Sequence, residues 1–166
     1  LRKTYFTGRR KSPAPQIDRA TADGLIDDGR GWTNKDRTSY YQAMNTERLL
    51  ERLTNWSPVV RERAAMELGR RNEELIVPGL IRLLNGKDVD GRIGACQGVI
   101  FQRGRAAAAV PFLRKALRSS DLWLRIKAGE ALAAIGDPAR VAVPELLSKL
   151  ARKASSKDPR NMEQRY

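Results

Sequence analysis

The sequence predicts an all-α fold, a short right-handed α-solenoid of about three stacked helical hairpins with a partial hairpin before them. Two sequence motifs recur at almost the same period, which is typical of repeat architectures. The first motif places an alanine three residues after an arginine and recurs after 31 and 33 residues, at Arg61, Arg92 and Arg125. The second motif, VPxLxxxL, recurs after 33 and again 33 residues, around Pro78, Pro111 and Pro144. One hairpin is too small to bury its apolar side chains alone, so neighbouring hairpins must stack.

The first helix of each repeat has recognisable start and end signals. Its start is predicted at a residue whose side-chain oxygen accepts a hydrogen bond from a free backbone N–H group of the helix. The predicted start residues are Ser57, Asp88 and either Ser120 or Asp121. Pro58 supports the first of these starts, because proline is favoured at the first helical position. The end is predicted near residues that tolerate the left-handed backbone conformation, namely Asn72, Gly104 and Gly136.

The second helix of each repeat is predicted to begin within one turn of the repeated proline. Proline costs about 3 kcal/mol inside a helix but is tolerated in the first turn. In the first repeat Val77, Leu80 and Leu84 are spaced i, i+3 and i+7, which places them on one apolar stripe. Residues 46–53 (TERLLERL) are interpreted as the second helix of the partial hairpin. Three aromatic residues are predicted to close that end of the stack: Tyr40, Tyr41 and Trp56.

Composition divides the chain into three segments. Residues 1–38 are predicted to be a basic tail or linker, because they contain Gly and Pro and show no sustained helical or strand periodicity. Residues 39–153 are predicted to form the repeat domain, and the boundary is placed between Trp32 and Tyr40. Residues 154–166 are predicted to be a polar C-terminal extension, or the start of the next segment of a longer protein.

Composition also excludes several kinds of catalytic and metal site. The 166 residues include no histidine, which excludes catalytic triads and histidine-containing zinc sites. Cys96 is the single cysteine, which excludes an intrachain disulfide and a thiolate zinc cluster. No apolar run is long enough for a transmembrane segment. We therefore expect a protein that is not an enzyme and that holds no cofactor or metal.

The chain is strongly basic. It has 32 Lys and Arg against 19 Asp and Glu, a net charge of +13 and an isoelectric point near 10.6. Polyanions are the default non-specific partners of such a protein. Residues 91–120 contain six basic side chains and no acidic one, which concentrates positive charge on the middle repeat. The opening residues, LRKTYFTGRRKSPAP, contain no apolar signal-peptide core, and the compartment stays open.

Basic residues of the second helices form a candidate binding groove. Second helices usually line the concave surface of such a stack, and cations there would neutralise phosphates with an affinity that falls steeply with salt. The candidate groove residues are Arg82, Arg114, Lys115, Arg118 and Arg152. The alternative interpretation is the solvated face of a basic protein. Base stacking has little support, because aromatic residues are scarce and the candidates near the basic stretch, Trp123 and Phe112, are both predicted to pack between repeats.

The repeated arginines and the cysteine are interpreted as structural. Arg61, Arg92 and Arg125 are predicted to form a ladder along the stack. Arg92 is expected to pair with Asp88, Asp90 or an aspartate of a neighbouring repeat. Cys96 lies among small residues, which favours a buried thiol, and a reactive thiol near positive charge is the alternative.

The repeats resemble HEAT repeats, in particular the short phycobilisome-lyase type. The best match is residues 121–150, DLWLRIKAGEALAAIGDPARVAVPELLSKL, and the resemblance covers residues 45–152. The second repeat departs from the pattern, since Gly91, Gly94 and Gly98 stand in its first helix and indicate a weaker or closely packed helix. The flanks are similar to a helical segment of large bacterial multidomain proteins whose function is uncharacterised.

The resemblance implies a scaffold for interactions. The fold by itself assigns no chemistry. The leading hypothesis is a non-enzymatic module that binds a protein partner or neighbouring domains of a larger chain through its concave surface. The alternative hypothesis is binding of nucleic acid or another polyanion through the basic groove and the basic tail.

Overall fold

The computed structural model describes residues 34–151, and this part of the chain contains α-helices and 3₁₀ segments but no β-strand. The α-helices are α1 (Asn34–Gln42), α2 (Thr46–Arg52), α3 (Pro58–Arg70), α4 (Ile76–Leu84), α5 (Val89–Gln102), α6 (Val110–Ala116), α7 (Leu122–Ile135) and α8 (Val143–Leu150). The 3₁₀ segments, Arg103–Ala109 and Asp137–Ala142, lead into α6 and α8. Three features of the sequence analysis lie outside the described residues: residues 1–33 of the predicted tail, the candidate residue Arg152 and the predicted extension 154–166.

The all-α repeat fold predicted from the sequence is confirmed. Helices α3 and α4 form the first repeat, α5 and α6 the second, and α7 and α8 the third. The shorter helices α1 and α2 precede them, and α1 begins at Asn34, five residues before the predicted start of the repeat domain. None of the described helices is long and apolar enough to cross a membrane.

Two of the three predicted first-helix caps form as expected. Asp88 Oδ2 accepts a hydrogen bond from the Gly91 N–H at 2.7 Å, and Asp121 Oδ1 accepts one from the Leu124 N–H at 2.8 Å. Ser57 stands at the start of α3 but makes no side-chain cap bond. At α3 the start is therefore set by Pro58, whose fixed φ suits the first helical position.

The end of the first helix follows the prediction in the third repeat and departs from it in the others. Gly136 has φ 79° directly after α7, as expected. In the second repeat the residue with positive φ is Arg103, at 53°, and not Gly104. Arg103 and Gly136 both have ψ −137°, so the same chain reversal ends α5 and α7. Helix α3 ends without a left-handed residue, because Arg71 continues in an extended conformation before Asn72 is reached.

The helices pack in a regular order along the stack. The first helices α3, α5 and α7 lie side by side, and each second helix packs against the first helix of the following repeat, α4 on α5 and α6 on α7. Helix α2 packs on α3 in the same way. One continuous cluster of buried apolar side chains runs through all of the repeats. Its fully buried leucines are Leu49, Leu53, Leu68, Leu80, Leu113, Leu124 and Leu132.

Glycines in α5 allow the helices to approach closely. A Cβ atom added to Gly98 would lie 2.5 Å from Leu80 Cδ2, and one added to Gly94 would overlap the carbonyl oxygen of Leu53. Both glycines are buried. Of the two interpretations of the glycines in the second repeat, close packing is therefore the one that the structure shows.

The aromatic residues divide between the core and the surface. Tyr41 is 2% exposed and its ring meets Tyr40 edge-on, with the ring centroids 5.6 Å apart. Trp56 and Trp123 are 54% and 51% exposed, so the predictions that Trp56 closes the stack and that Trp123 packs between repeats are wrong. Trp123 is exposed although the next residue, Leu124, is fully buried, because successive side chains of a helix point about 100° apart. Phe112 is partly buried against the core.

We predict that Arg103→Gly stabilises the protein. A non-glycine residue at this φ and ψ costs on the order of 1–3 kcal/mol, and a glycine loses part of that gain because it has more conformational freedom when unfolded. The Arg103 side chain is exposed, so the variant loses little buried surface. We expect a gain of about 1 kcal/mol in the free energy of unfolding, measured by urea denaturation.

The matched control is Gly136→Ala at the equivalent position. A Cβ there meets no atom within 4 Å, so only backbone strain is added, and the variant should lose stability. A loss of stability in Arg103→Gly would contradict the prediction.

Candidate interaction surface

Arg61 joins the first repeat to the second. Its side chain is 6% exposed, and its Nη1 atom donates to the Asn55 carbonyl oxygen at 2.7 Å and to Asp90 Oδ1 at 2.9 Å. Burial lowers the pKa of Arg61, while the nearby carboxylates of Asp90 and Asp88 raise it. An arginine stays charged under such a shift. Arg61 is thus a charged link between the turn before α3 and the first turn of α5.

The equivalent arginines, Arg125 and Arg92, make different contacts from Arg61. Arg125 donates from Nη1 to the Ser119 and Ser120 carbonyl oxygens at 3.0 and 3.1 Å. Arg92 does not form the expected pair with Asp88 or Asp90, because Asp88 caps α5 and Asp90 is held by Arg61. The buried Nε atom of Arg92 has no hydrogen-bond partner within the described residues.

The described candidate groove residues are Arg82, Arg114, Lys115 and Arg118, which lie on or directly after the second helices α4 and α6 at exposed or half-buried positions. We name this surface the second-helix ridge. Arg82 and Lys115 are exposed and stand 33 residues apart, at equivalent positions of α4 and α6. The third repeat places Ser148 at this position. The described row of equivalent cations therefore extends over two repeats and stops before α8.

Glu145 pairs with the other two cations of the ridge. Arg114 makes a two-point contact with it, Nε to Oε2 at 2.8 Å and Nη2 to Oε1 at 2.6 Å. Arg118 Nη2 donates to Oε1 at 3.1 Å. The hydrogen bond from Arg114 is the main cause that holds the pKa of Glu145 below its usual value. This part of the second-helix ridge is a mixed-charge cluster that joins α6 to α8.

Sequence reasoning missed Glu145. Residues 91–120 hold no acidic residue, and the counter-charge comes from the next repeat, 31 residues beyond Arg114. The repeat period contained the signal. Glu145 stands one residue after the repeated proline, at the position that Phe112 has in the second repeat. In a stack of repeats this position lies beside α6, the second helix of the preceding repeat.

Cys96 is fully buried among the stacked first helices. Burial raises the pKa of its thiol to about 12. The thiolate is the reactive form of cysteine, so the structure favours the inert interpretation over the reactive one. Within residues 34–151 no group of three metal-binding side chains is present.

Helix α8 presents an apolar surface that its counterparts bury. Val143 and Leu150 are 44% and 58% exposed, whereas their equivalents Val110 and Leu117 are 5% and 3% exposed. The apolar stripe of the VPxLxxxL motif is therefore largely exposed in α8, in which no residue is classed as buried. We name this surface the end face and define it by Val143, Leu146, Leu147 and Leu150. A groove of about 120 Å³ adjoins it, lined by Leu132, Gly136, Ala139, Val143 and Leu146 among others.

Comparison with known proteins gives one match. A family model described as HEAT repeats matches residues 77–164, just over half of the chain. No curated protein and no solved structure matches it.

We predict different outcomes for the same change at two equivalent arginines. Arg61→Met removes the hydrogen bonds to Asn55 and Asp90 and should lower the free energy of unfolding by about 2 kcal/mol. The loss is no larger because the Asp90 carboxylate is half exposed and stays hydrated in the variant. Arg92→Met removes a buried, unpartnered Nε and should leave stability within about 0.5 kcal/mol or raise it. Urea denaturation measures both, and equal losses would show that the two side chains play the same role.

We predict that Glu145→Gln lowers the urea midpoint at pH 7. Because the pKa of Glu145 is lowered on folding, its stabilising effect is present above the pKa of the unfolded chain, about 4.3, and is lost as the pH falls below it. The difference between the two proteins should therefore shrink between about pH 4.5 and pH 3. Glu74→Gln, which removes the same charge at an exposed residue of the loop before α4, is the control and should leave the urea midpoint at pH 7 nearly unchanged.

Proposed function

The chain belongs to the HEAT repeat family, and from this premise we propose that it is a non-enzymatic scaffold whose second-helix ridge binds a protein partner or a neighbouring domain. HEAT repeats commonly serve as protein-interaction scaffolds. In the proposal the ridge lies on the concave side of the stack, where second helices usually stand.

The pairing of Arg114 and Arg118 with Glu145 is the observation that carries this proposal. Phosphate binding needs cations whose charge is not already neutralised. Two of the four described ridge cations are held by one carboxylate, which leaves Arg82 and Lys115 for such contacts. Alternating charges favour a protein surface of complementary pattern, because opposed charges across an interface select the partner and its orientation.

Exposed apolar atoms beside the cations support the same proposal. Pro78, Pro111 and Pro144 are all exposed and stand one repeat apart on the second helices. Proline is rigid, so a partner that covers it restricts little conformational freedom. Phe112 is partly exposed next to Pro111. A surface that combines rigid apolar atoms with paired charges matches the mixed composition of protein interfaces.

Charge distribution along the chain weakens the polyanion alternative for the described repeats. Residues 34–151 hold 20 Lys and Arg against 13 Asp and Glu, so about half of the net charge of +13 belongs to the remaining residues. The exposed Arg82 and Lys115 are the observation that keeps this alternative as a second candidate.

We predict that binding to nucleic acid is weak and unselective. Fluorescence anisotropy with labelled single-stranded DNA, duplex DNA and RNA should show no preference over heparin and no binding at about 200 mM salt. Photo-crosslinking should give the positive result. With a photoreactive residue in place of Lys115, an extract of the source cells should yield a discrete crosslinked protein.

The crosslinking control is the same residue in place of Glu62, which is exposed on α3 and outside the ridge. Equal crosslinking from both positions would contradict the proposal. Two results together would replace the scaffold proposal by the polyanion alternative. One nucleic acid would have to bind at about 200 mM salt in preference to heparin. The Lys115→Glu, Arg118→Glu double variant would have to abolish that binding while helicity stays intact.

A further inference from the structure

Arg92 departs from the pattern of the other repeated arginines. Arg61 donates from Nη1 to the carbonyl oxygen of Asn55, six residues earlier. Arg125 makes the same bond to Ser119. Within residues 34–151 the Arg92 side chain makes no hydrogen bond and no ion pair, although its Nε atom is buried. A buried N–H group without an acceptor costs free energy, so a ligand that supplies an acceptor is stabilised there.

The next repeat explains why Arg92 has no acidic partner. Asp90 stands two residues after the cap of α5 and accepts a hydrogen bond from Arg61 at 2.9 Å. The residue two positions after the cap of α7 is Trp123. Helix α7 packs on α5 as α5 packs on α3. Trp123 therefore has the place relative to Arg92 that Asp90 has relative to Arg61, and it supplies an exposed indole instead of a carboxylate.

The buried thiol of Cys96 locates Arg92 at the junction of α5 and α7. Burial is the main cause that raises the pKa of this thiol, Arg92 and Lys127 lower the pKa, and Glu130 raises it. Interactions between charges weaken with distance, so these three charged side chains lie around one thiol. Arg92 is itself only partly buried, so a ligand at this junction can reach it from solvent.

The described carboxylates around this junction already have partners. Asp88 caps α5, and Asp90 is bound by the arginine of the first repeat. Glu130 of α7 pairs with Lys127 at 2.7 Å. Each of these carboxylates would have to give up its present partner in order to reach Arg92.

The net charge of the chain favours an acceptor from another molecule. Residues 34–151 hold 20 Lys and Arg against 13 Asp and Glu, and the remaining residues hold 12 against 6. A second copy carries the same charge of +13 and is repelled. Charge complementarity therefore favours a partner of acidic character.

We propose that Arg92 and Trp123 form a site for an Asp or Glu side chain of an acidic protein partner. The carboxylate accepts from the Arg92 guanidinium as Asp90 accepts from Arg61, and apolar atoms of the adjoining partner residues cover the half-exposed Trp123 ring. Hydrogen bonds between two charged groups are stronger than neutral ones, and Trp and Arg are enriched among the residues that dominate interfaces. The site goes beyond the function proposed above, because it uses a different surface from the second-helix ridge.

Trp123→Asp tests the geometry within the protein. If Trp123 has the place of Asp90, the new carboxylate should pair with Arg92 and raise the urea midpoint. In the Arg92→Met background this gain should be lost. The second background keeps the general effect of a carboxylate in the first turn of α7, so the difference between the two backgrounds isolates the pair. Circular dichroism checks that all variants fold.

An NMR titration tests binding by the full chain. The probe is the peptide Gly-Leu-Glu-Leu-Gly with both ends capped, whose only charge is the Glu carboxylate. At about 150 mM salt it should shift the Nε–H signal of Arg92, identified by its loss in Arg92→Met, in a saturable way. The same peptide with Gln in place of Glu should not. Trp123→Asp should weaken binding by about tenfold or more, because its own carboxylate occupies Arg92.

Arg82→Gln is the matched control, because it removes an exposed cation of the second-helix ridge. It should leave the affinity for the Glu peptide within about twofold of the unchanged protein. An equal loss of affinity in Arg82→Gln and Trp123→Asp would show general attraction to a basic protein and would overturn the proposal.

Three further results would overturn the proposal. The first is no saturable shift, or equal shifts with the Glu and Gln peptides. The second is tighter binding of inorganic phosphate than of the Glu peptide at Arg92, which would assign the site to a phosphate ligand. The third is a loss of stability in Arg92→Met as large as in Arg61→Met, which would show that a carboxylate of this chain occupies the site. Crosslinking from position 115 is independent of all three.

Discussion

The contact between a second helix and the first helix of the next repeat is the constraint on which the structure depends. Between α4 and α5 it requires Leu80 to reach the backbone of α5, where Gly98 provides the space. Gly94 of α5 likewise lets the backbone approach Leu53 at the end of α2. Each glycine lowers helix propensity by about 1 kcal/mol. Full burial of a leucine side chain contributes about 1.5–3 kcal/mol, which exceeds that cost. The second repeat is a poorer helix in isolation and a well-packed one in the stack.

Features that depend on a few adjacent residues could be predicted from the sequence. The period of the motifs predicted the helix pairs, and the caps at Asp88 and Asp121 need only a carboxylate three residues before a free N–H group. Features that depend on contact between repeats could not. After α5 the residue with positive φ is Arg103, one residue before Gly104, the residue type that favours this conformation. The exposure of Leu150 depends on whether another helix packs against α8, and the motif does not encode that contact.

The charged residues show the same limit. Arg61, Arg92 and Arg125 occupy the same position of the repeat motif, yet Arg61 pairs with Asp90 of the second repeat, and the buried Arg92 Nε atom has no partner within the described residues. Arg114 takes Glu145 from a segment 31 residues away. A count of charges in one stretch of a repeat protein therefore describes its surface poorly, because carboxylates of the neighbouring repeat enter the same surface. The candidate site was predicted as a set of positions, and its electrostatic character came from the stack.

The exposure of α8, the last of the described helices, has a consequence for how the stack unfolds. In a one-dimensional array each repeat gains stability from its own fold and from its interfaces with its neighbours, and among the described repeats the third has an interface on one side only. Among the described helices, amide protons of α8 are therefore expected to exchange before those of α5, which has described first helices on both sides. Any chain segment or partner that packs on the exposed side of α8 adds a nearest-neighbour interface, so its binding stabilises the neighbouring repeats as well as α8.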